Sequence, residues 1–122
     1  MLILVIDDEK EILQLITTML TSEGYEVVAA EDGQRGLELL QDFDDIEIVI
    51  TDLIMPNKEG IETIMDMHKI RPDLKVLAMS GGGRGGISTY LSTAKNIGAG
   101  ATLAKPFRKQ ELLDAVSGLI NS

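Results

Sequence analysis

The 122-residue chain contains no cysteine and no tryptophan, only two tyrosines and two phenylalanines, and a single histidine. Without cysteine there is neither a disulfide nor a thiolate metal site. So few aromatics provide no platform on which nucleic-acid bases could stack. Basic charge is also scarce: eleven lysines and arginines stand against twenty acidic residues, a formal net charge of −9. Direct binding of DNA or RNA backbones is therefore not expected, whereas a bound cation or a basic partner surface suits this balance. No apolar run approaches the ~18 to 20 residues that cross a bilayer. The start, Met-Leu-Ile-Leu-Val-Ile-Asp-Asp, has no basic leader and runs into acid, so it does not read as a signal peptide. Cytoplasm is the expected compartment. An apolar fraction of 44% and a charged fraction of 25% suit one globular domain over residues 1–122.

What is present is a repeated alternation. Leu2 to Ile6 is a short apolar run closed by Asp7 and Asp8. Glu9 to Glu23 carries Ile12, Leu15, Ile16, Met19 and Leu20 at helical intervals, and Gly24 ends it. Tyr25 to Ala30 predicts a second strand, and Gly33 to Leu40 a second helix through Leu37, Leu39 and Leu40. Ile46 to Asp52 is the most strand-like stretch, since Ile46, Ile48, Val49, Ile50 and Thr51 are all β-branched. A helix is predicted from about Ile61 to Ile70, closed by Pro72. Lys75 to Met79 predicts a fourth strand ending at Ser80. The run Gly81 to Gly86 reads as a flexible connector, with a functional lid as the alternative; it lacks the Lys-Ser/Thr of a P-loop. Ser88 can cap a helix reaching about Asn96. A short fifth strand falls near Ala101 to Ala104, and a last amphipathic helix carries Leu112, Leu113, Val116, Leu119 and Ile120. Five β-α units predict a parallel sheet with helices on both faces.

Open parallel sheets bind ligands at the carboxyl ends of their strands. Asp7, Asp8, Asp52, Ser80 and, just past the fifth strand, Lys105 are all predicted at that edge. Each has a simpler reading alone. Asp8 with Glu11 resembles a capping box, Asp52 could start a turn, Ser80 could be loop, Lys105 surface, and Pro106 the first turn of a helix. Their joint placement favours chemistry. Clustered carboxylates repel unless a cation joins them, and hard oxygen donors with room for water suit Mg²⁺. A metal beside Asp52 would align a phosphoryl group for attack by that carboxylate, giving an acyl phosphate. A lysine and a hydroxyl would bind the remaining phosphoryl oxygens.

Val-Ile-Asp-Asp-Glu at 5–9, Thr-Asp-Leu-Ile-Met-Pro at 51–56, Ser80 and Lys-Pro-Phe at 105–107 together resemble a response-regulator receiver domain of the single-domain type. The resemblance covers the whole chain. It implies an α/β, flavodoxin-like, doubly wound five-stranded parallel sheet of order 2-1-3-4-5 flanked by five helices. It implies Asp52 as phosphoacceptor, and Asp7 and Asp8 as the acidic pair holding Mg²⁺, Asp8 directly and Asp7 through water. The Ile54 carbonyl is implied as a further metal ligand, Ser80 as the switch hydroxyl, Lys105 as the phosphate-binding lysine, and a cis Lys105–Pro106 peptide. A sensor histidine kinase or phosphotransfer protein would be the phosphoryl donor. A downstream protein would read a surface near residues 88 to 120. Because the chain stops soon after the last helix, output is expected by protein contact, unless the chain is a piece of something larger.

Three positions depart from that pattern. Thr102 stands where the family has a switch aromatic, the glycine loop after Ser80 is long, and Arg108 replaces a helix-capping residue, which predicts a loose start to the last helix. Ile54 could hinder water attack and lengthen the phosphoryl lifetime. His68 is expected to face solvent without a catalytic role, and the six methionines to fill the core. Two rival functions are a Mg²⁺-dependent phosphohydrolase with an aspartyl nucleophile, for which Ile54 supplies no general acid, and a receiver-like module that is never phosphorylated.

Overall fold

The computed structural model describes residues 1–53, 60–80 and 98–121. In chain order they form β1 (Leu2–Ile6), α1 (Lys10–Thr21), β2 (Glu26–Ala30), α2 (Gly33–Asp42), β3 (Ile46–Asp52), α3 (Gly60–Ile70), β4 (Lys75–Ser80), β5 (Ala101–Ala104) and α4 (Lys109–Ile120). The five strands make one parallel sheet in the order β2-β1-β3-β4-β5. This is the flavodoxin-like, doubly wound arrangement the motifs imply. Four of the five expected helices are described. The one expected over 88–96, with the glycine loop 81–86 and with Ile54 and Pro56, lies outside the described residues.

The strands read as apolar runs because each central one is buried on both faces. All five residues of β1 are buried. On one face Leu2, Leu4, Ile6 and Val49 pack with Leu39, Leu40, Ile64 and Met67 of α2 and α3. On the other, Ile3, Val5, Ile48, Ile50 and Leu77 pack with Leu13, Ile16 and Leu20 of α1 and Leu112, Val116 and Leu119 of α4. A register shift between β1 and β3 (Leu2 opposite Ile46, Ile3 opposite Ile48) leaves exposed Glu47 as the extra residue, so Ile46 and Ile48 serve opposite faces.

Three expectations about packing are corrected. In α1 the buried stripe is Leu13, Ile16 and Leu20, while Leu15 is 46% exposed. At 100° per residue Leu15 lies about 130° around the helix from the centre of that stripe, too far to reach the sheet. Met67 and Met79 do fill the core, but Met1 and Met65 are exposed. His68 does not simply face solvent. Its Nε2 lies 3.0 Å from the Leu74 carbonyl. Its ring also fills the space beside Gly98, where any Cβ would stand 2.7 Å from Cε1. Gly98 has φ +114°, so glycine is favoured there on both counts.

The last helix starts firmly. The Arg108 side chain does not cap it, but its backbone N–H donates to the Glu111 carboxylate at 2.8 Å, the reciprocal half of a capping box. At α1, by contrast, the N-cap is Glu9 with no side-chain cap, so Asp8 is not a capping residue.

Candidate functional site: the acidic edge of the sheet

Parallel pairing puts the ends of β1, β3 and β4 side by side. Asp7 follows β1 and continues its pairing, donating its N–H to the Ala30 carbonyl at 3.1 Å. Asp52 ends β3 in register with Met79, one residue before Ser80 at the end of β4. Lys105 follows β5, and its N–H donates to the Ser80 carbonyl at 2.8 Å. The structure thus brings Asp7, Asp8, Asp52, Ser80 and Lys105 to one edge. The Lys105–Pro106 peptide is cis. Ile54 lies outside the described residues.

The burial of these groups decides their chemistry. Asp7 and Ser80 are fully buried and Asp52 is 5% exposed, whereas Asp8 is exposed. Asp52 therefore sits at the strand's end, yet it is shielded rather than open. Lys105 makes this tolerable. Its Nζ donates to Asp7 Oδ2 at 2.7 Å and to Asp52 Oδ2 at 3.0 Å. A buried carboxylate is costly unless paired and hydrogen-bonded, and one ammonium here serves two. Asp7 Oδ1 also accepts the Glu9 N–H at 2.9 Å, a contact with no side-chain signature in the sequence.

Burial pushes the Asp7 carboxyl above its ordinary value. The hydrogen bonds from Lys105 and Glu9 oppose that rise, and the Asp52 charge adds to it. Burial would lower the Lys105 ammonium, but its hydrogen bonds to Asp7 and Asp52 outweigh this and hold it above the usual lysine range. The pair is thus a cation locked over two acids, one of which is poorly solvated.

Two observations suit a ligand. One oxygen from each of Asp7, Asp8 and Asp52 lies within 4.8 Å of the others, a hard-oxygen set able to hold a metal ion. Second, Ser80 Oγ is buried with no hydrogen-bond partner among the described residues. Such a hydroxyl costs ~1 to 3 kcal/mol unless something reaches it.

The family comparison agrees with this geometry. A profile described as the response regulator receiver domain matches residues 3–117. The chain belongs to the response regulator receiver domain family. Receiver domains are the phosphorylation-dependent signalling switches of two-component systems, and they interact with histidine kinases or phosphotransfer proteins. A solved receiver domain protein from Clostridium thermocellum superposes with a TM-score of 0.90 at 36% identity, covering 98% of this chain and 94% of that one. A CheY-like receiver domain protein from Methanospirillum hungatei gives 0.88 at 29%, covering 98% and 93%. Among curated proteins, response regulator RR06 of Streptococcus pneumoniae is 37% identical over 97% of this chain and 52% of its own length. The transcriptional regulatory protein CpxR of Escherichia coli is 30% identical over 97% of this chain and 48% of its own. The receiver chain spans about half the length of these two curated relatives.

The motif residues were legible because strand ends are marked by polar residues after apolar runs. The residues that sequence reading missed are cations elsewhere. Arg71 donates to the carbonyls of Ile46, Leu40 and Phe43 at 2.7, 2.9 and 3.2 Å. Lys75 Nζ donates to the Leu119 carbonyl at 2.7 Å. Backbone carbonyls 25 to 44 residues away leave no pattern around either residue.

Proposed function

We propose that Asp52 is the phosphoacceptor of this receiver domain, taking a phosphoryl group from a phosphohistidine on a sensor kinase or phosphotransfer protein. The carrying observation is the buried Ser80 hydroxyl, without a partner among the described residues, beside a lysine already poised on Asp52. An Asp52 carboxylate oxygen attacks phosphorus, the P–N bond breaks, and its electron pair returns to the donor imidazole. Asp7, Asp8 and Asp52, with the Ile54 carbonyl, would hold Mg²⁺, which when bound supplies charge neutralisation for the incoming phosphoryl group. Lys105 exchanges its contact with the Asp52 carboxylate for a phosphoryl oxygen, and Ser80 Oγ donates to another. Each gains a partner of higher charge than it had, so the phosphorylated state differs in the position of both β4 and the β5 end.

The readout follows from this shift. A surface near residues 88 to 120 changes its affinity for a downstream protein, in the cytoplasm and without direct nucleic-acid contact by this domain. The names of CpxR and its kin make them transcriptional regulators, in which the matching segment is about half of a longer chain. Switch behaviour is favoured over turnover because residue 54, two after the nucleophile, is an isoleucine and offers no general acid. Incubation with a small acyl phosphate and Mg²⁺ should add one phosphoryl group to the wild type and none to Asp52→Asn. Stoichiometric labelling of Asp52→Asn would refute the assignment. Continuous turnover of a phosphate ester would instead establish the hydrolase.

A further inference from the structure

Opposite the acidic edge, β4 begins with Lys75, and this residue reaches the far end of α4. Its Nζ donates to the Leu119 carbonyl at 2.7 Å and lies 3.5 Å from the Ile120 carbonyl. The last carbonyls of a helix carry partial negative charge and lack partners within the helix. The last turn of α4 has no basic residue of its own, so Lys75 provides the cation from another element. A second contact runs in parallel. Val76 accepts the Gly100 N–H at 2.9 Å. Gly100 in turn abuts Leu119, whose Cδ2 would stand 2.8 Å from any Cβ added there. The beginning of β4 therefore grips the end of α4 twice.

Leu119 of this last turn is buried in the core, while Ile120 borders open space. Lys75 and Ile120 line a cavity of about 360 Å³ together with Met1, Ile46 and Leu74. Lys75 thus ties the end of α4 beside that cavity.

Lys75 and Ser80 are the two ends of one strand. Val76 to Ser80 are fully buried; Lys75 to Met79 pair with β3 on one side and Leu77 to Ser80 with β5 on the other. Dense packing makes such a strand transmit strain along its length rather than absorb it. A small shift along its axis changes which of two carbonyls, at 2.7 and 3.5 Å, the ammonium holds. We infer that Lys75 is a positioning residue that carries the movement of β4, set by Ser80 engaging a phosphoryl group at the opposite end, to the C-terminal end of α4. The inference rests on the reading of Asp52 as phosphoacceptor. It places the signal's route through the strand itself, which suits a chain whose β5 carries only the small residue Thr102 opposite Ala78.

The absence of cysteine makes the test direct. Asn121 is exposed, and its backbone N–H rather than its side chain holds the Ser117 carbonyl, so Asn121→Cys provides one site for an environment-sensitive fluorophore. Labelled Asn121→Cys protein is compared with its Lys75→Met and Lys75→Arg versions, each treated with Mg²⁺ and a small acyl phosphate. Mass spectrometry follows phosphorylation, fluorescence follows the helix end, and thermal melting verifies the fold. All three proteins should gain one phosphoryl group at the same rate. The fluorescence shift should appear in the parent, vanish in Lys75→Met and return in Lys75→Arg. A full shift in Lys75→Met, or none in the phosphorylated parent, overturns the inference while leaving Asp52 as acceptor. Slowed phosphorylation of Lys75→Met also overturns it, because Lys75 would then act on the acidic site or the fold. No mass gain in the parent overturns the acceptor reading and this inference with it.

Discussion

The two edges of the sheet use half-buried cations in opposite ways. At the carboxyl edge Lys105 faces two carboxylates, and Asp7 remains poorly solvated despite that partner. At the amino edge Arg71 and Lys75 donate to backbone carbonyls, which carry no net charge and lie at the ends of α2 and α4 and the start of β3. The second arrangement is satisfied as it stands. The first is satisfied only in part, since it leaves a poorly solvated acid and a serine hydroxyl without a partner among the described residues. A site that must exchange partners is built from groups whose present partners are imperfect, whereas a clamp is built from groups with nothing better to find.

Removing the cation from each edge should expose this difference. Lys105→Met leaves Asp7 and Asp52 buried without a counter-charge, and should cost ~3 to 5 kcal/mol in metal-free urea unfolding. Added Mg²⁺ should restore part of that loss. Arg71→Met removes three hydrogen bonds from a charged donor and should cost ~2 to 3 kcal/mol. In this variant Mg²⁺ should add no more stability than it adds to the wild type, and the rate of phosphoryl labelling should match the wild type. A loss in Arg71→Met that Mg²⁺ reverses would break the distinction between the edges.

Asp7→Asn sharpens it with the opposite sign. Because burial raises the Asp7 carboxyl above its unfolded value, the folded chain prefers this residue uncharged. The neutral amide should stabilise the metal-free protein while weakening metal binding, measured by unfolding and by Mg²⁺ titration.

The smallest effect is the pH dependence of that gain. Between the unfolded and the raised folded value of Asp7 the native state holds the extra proton, so its contribution to stability falls as pH rises through this window. The difference between Asp7→Asn and wild type should therefore be absent near the bottom of the ordinary aspartate range. It should grow as pH rises above 3.8 and level off once Asp7 is ionised in the fold. A difference independent of pH would show that Asp7→Asn acts through packing instead.

Much of this architecture was legible because burial on two faces leaves an unmistakable record. Ile48-Val49-Ile50 reads as a central strand, and the acid that follows it reads as a strand end. The site residues were legible for the same reason, standing where apolar runs give way to polar residues. Helix faces were less so. In α1 both Leu13 and Leu15 are apolar, and only the docking angle against the sheet selects Leu13. The burial of Asp52 and Asp7 was not legible, since it depends on a lysine 53 and 98 residues away. Nor were the roles of His68, Arg71 and Lys75, whose partners are carbonyls, a group that every residue has.

The central claim, that Asp52 is the group the acidic edge presents for phosphorylation, is tested most directly by locating the acyl phosphate. Borohydride reduces an aspartyl phosphate to homoserine, which peptide sequencing by mass spectrometry detects at a single position. After treatment with a small acyl phosphate and Mg²⁺, homoserine should appear at position 52 and nowhere else. Its appearance at position 7 or 8, or a phosphoryl group that survives borohydride, would contradict the account.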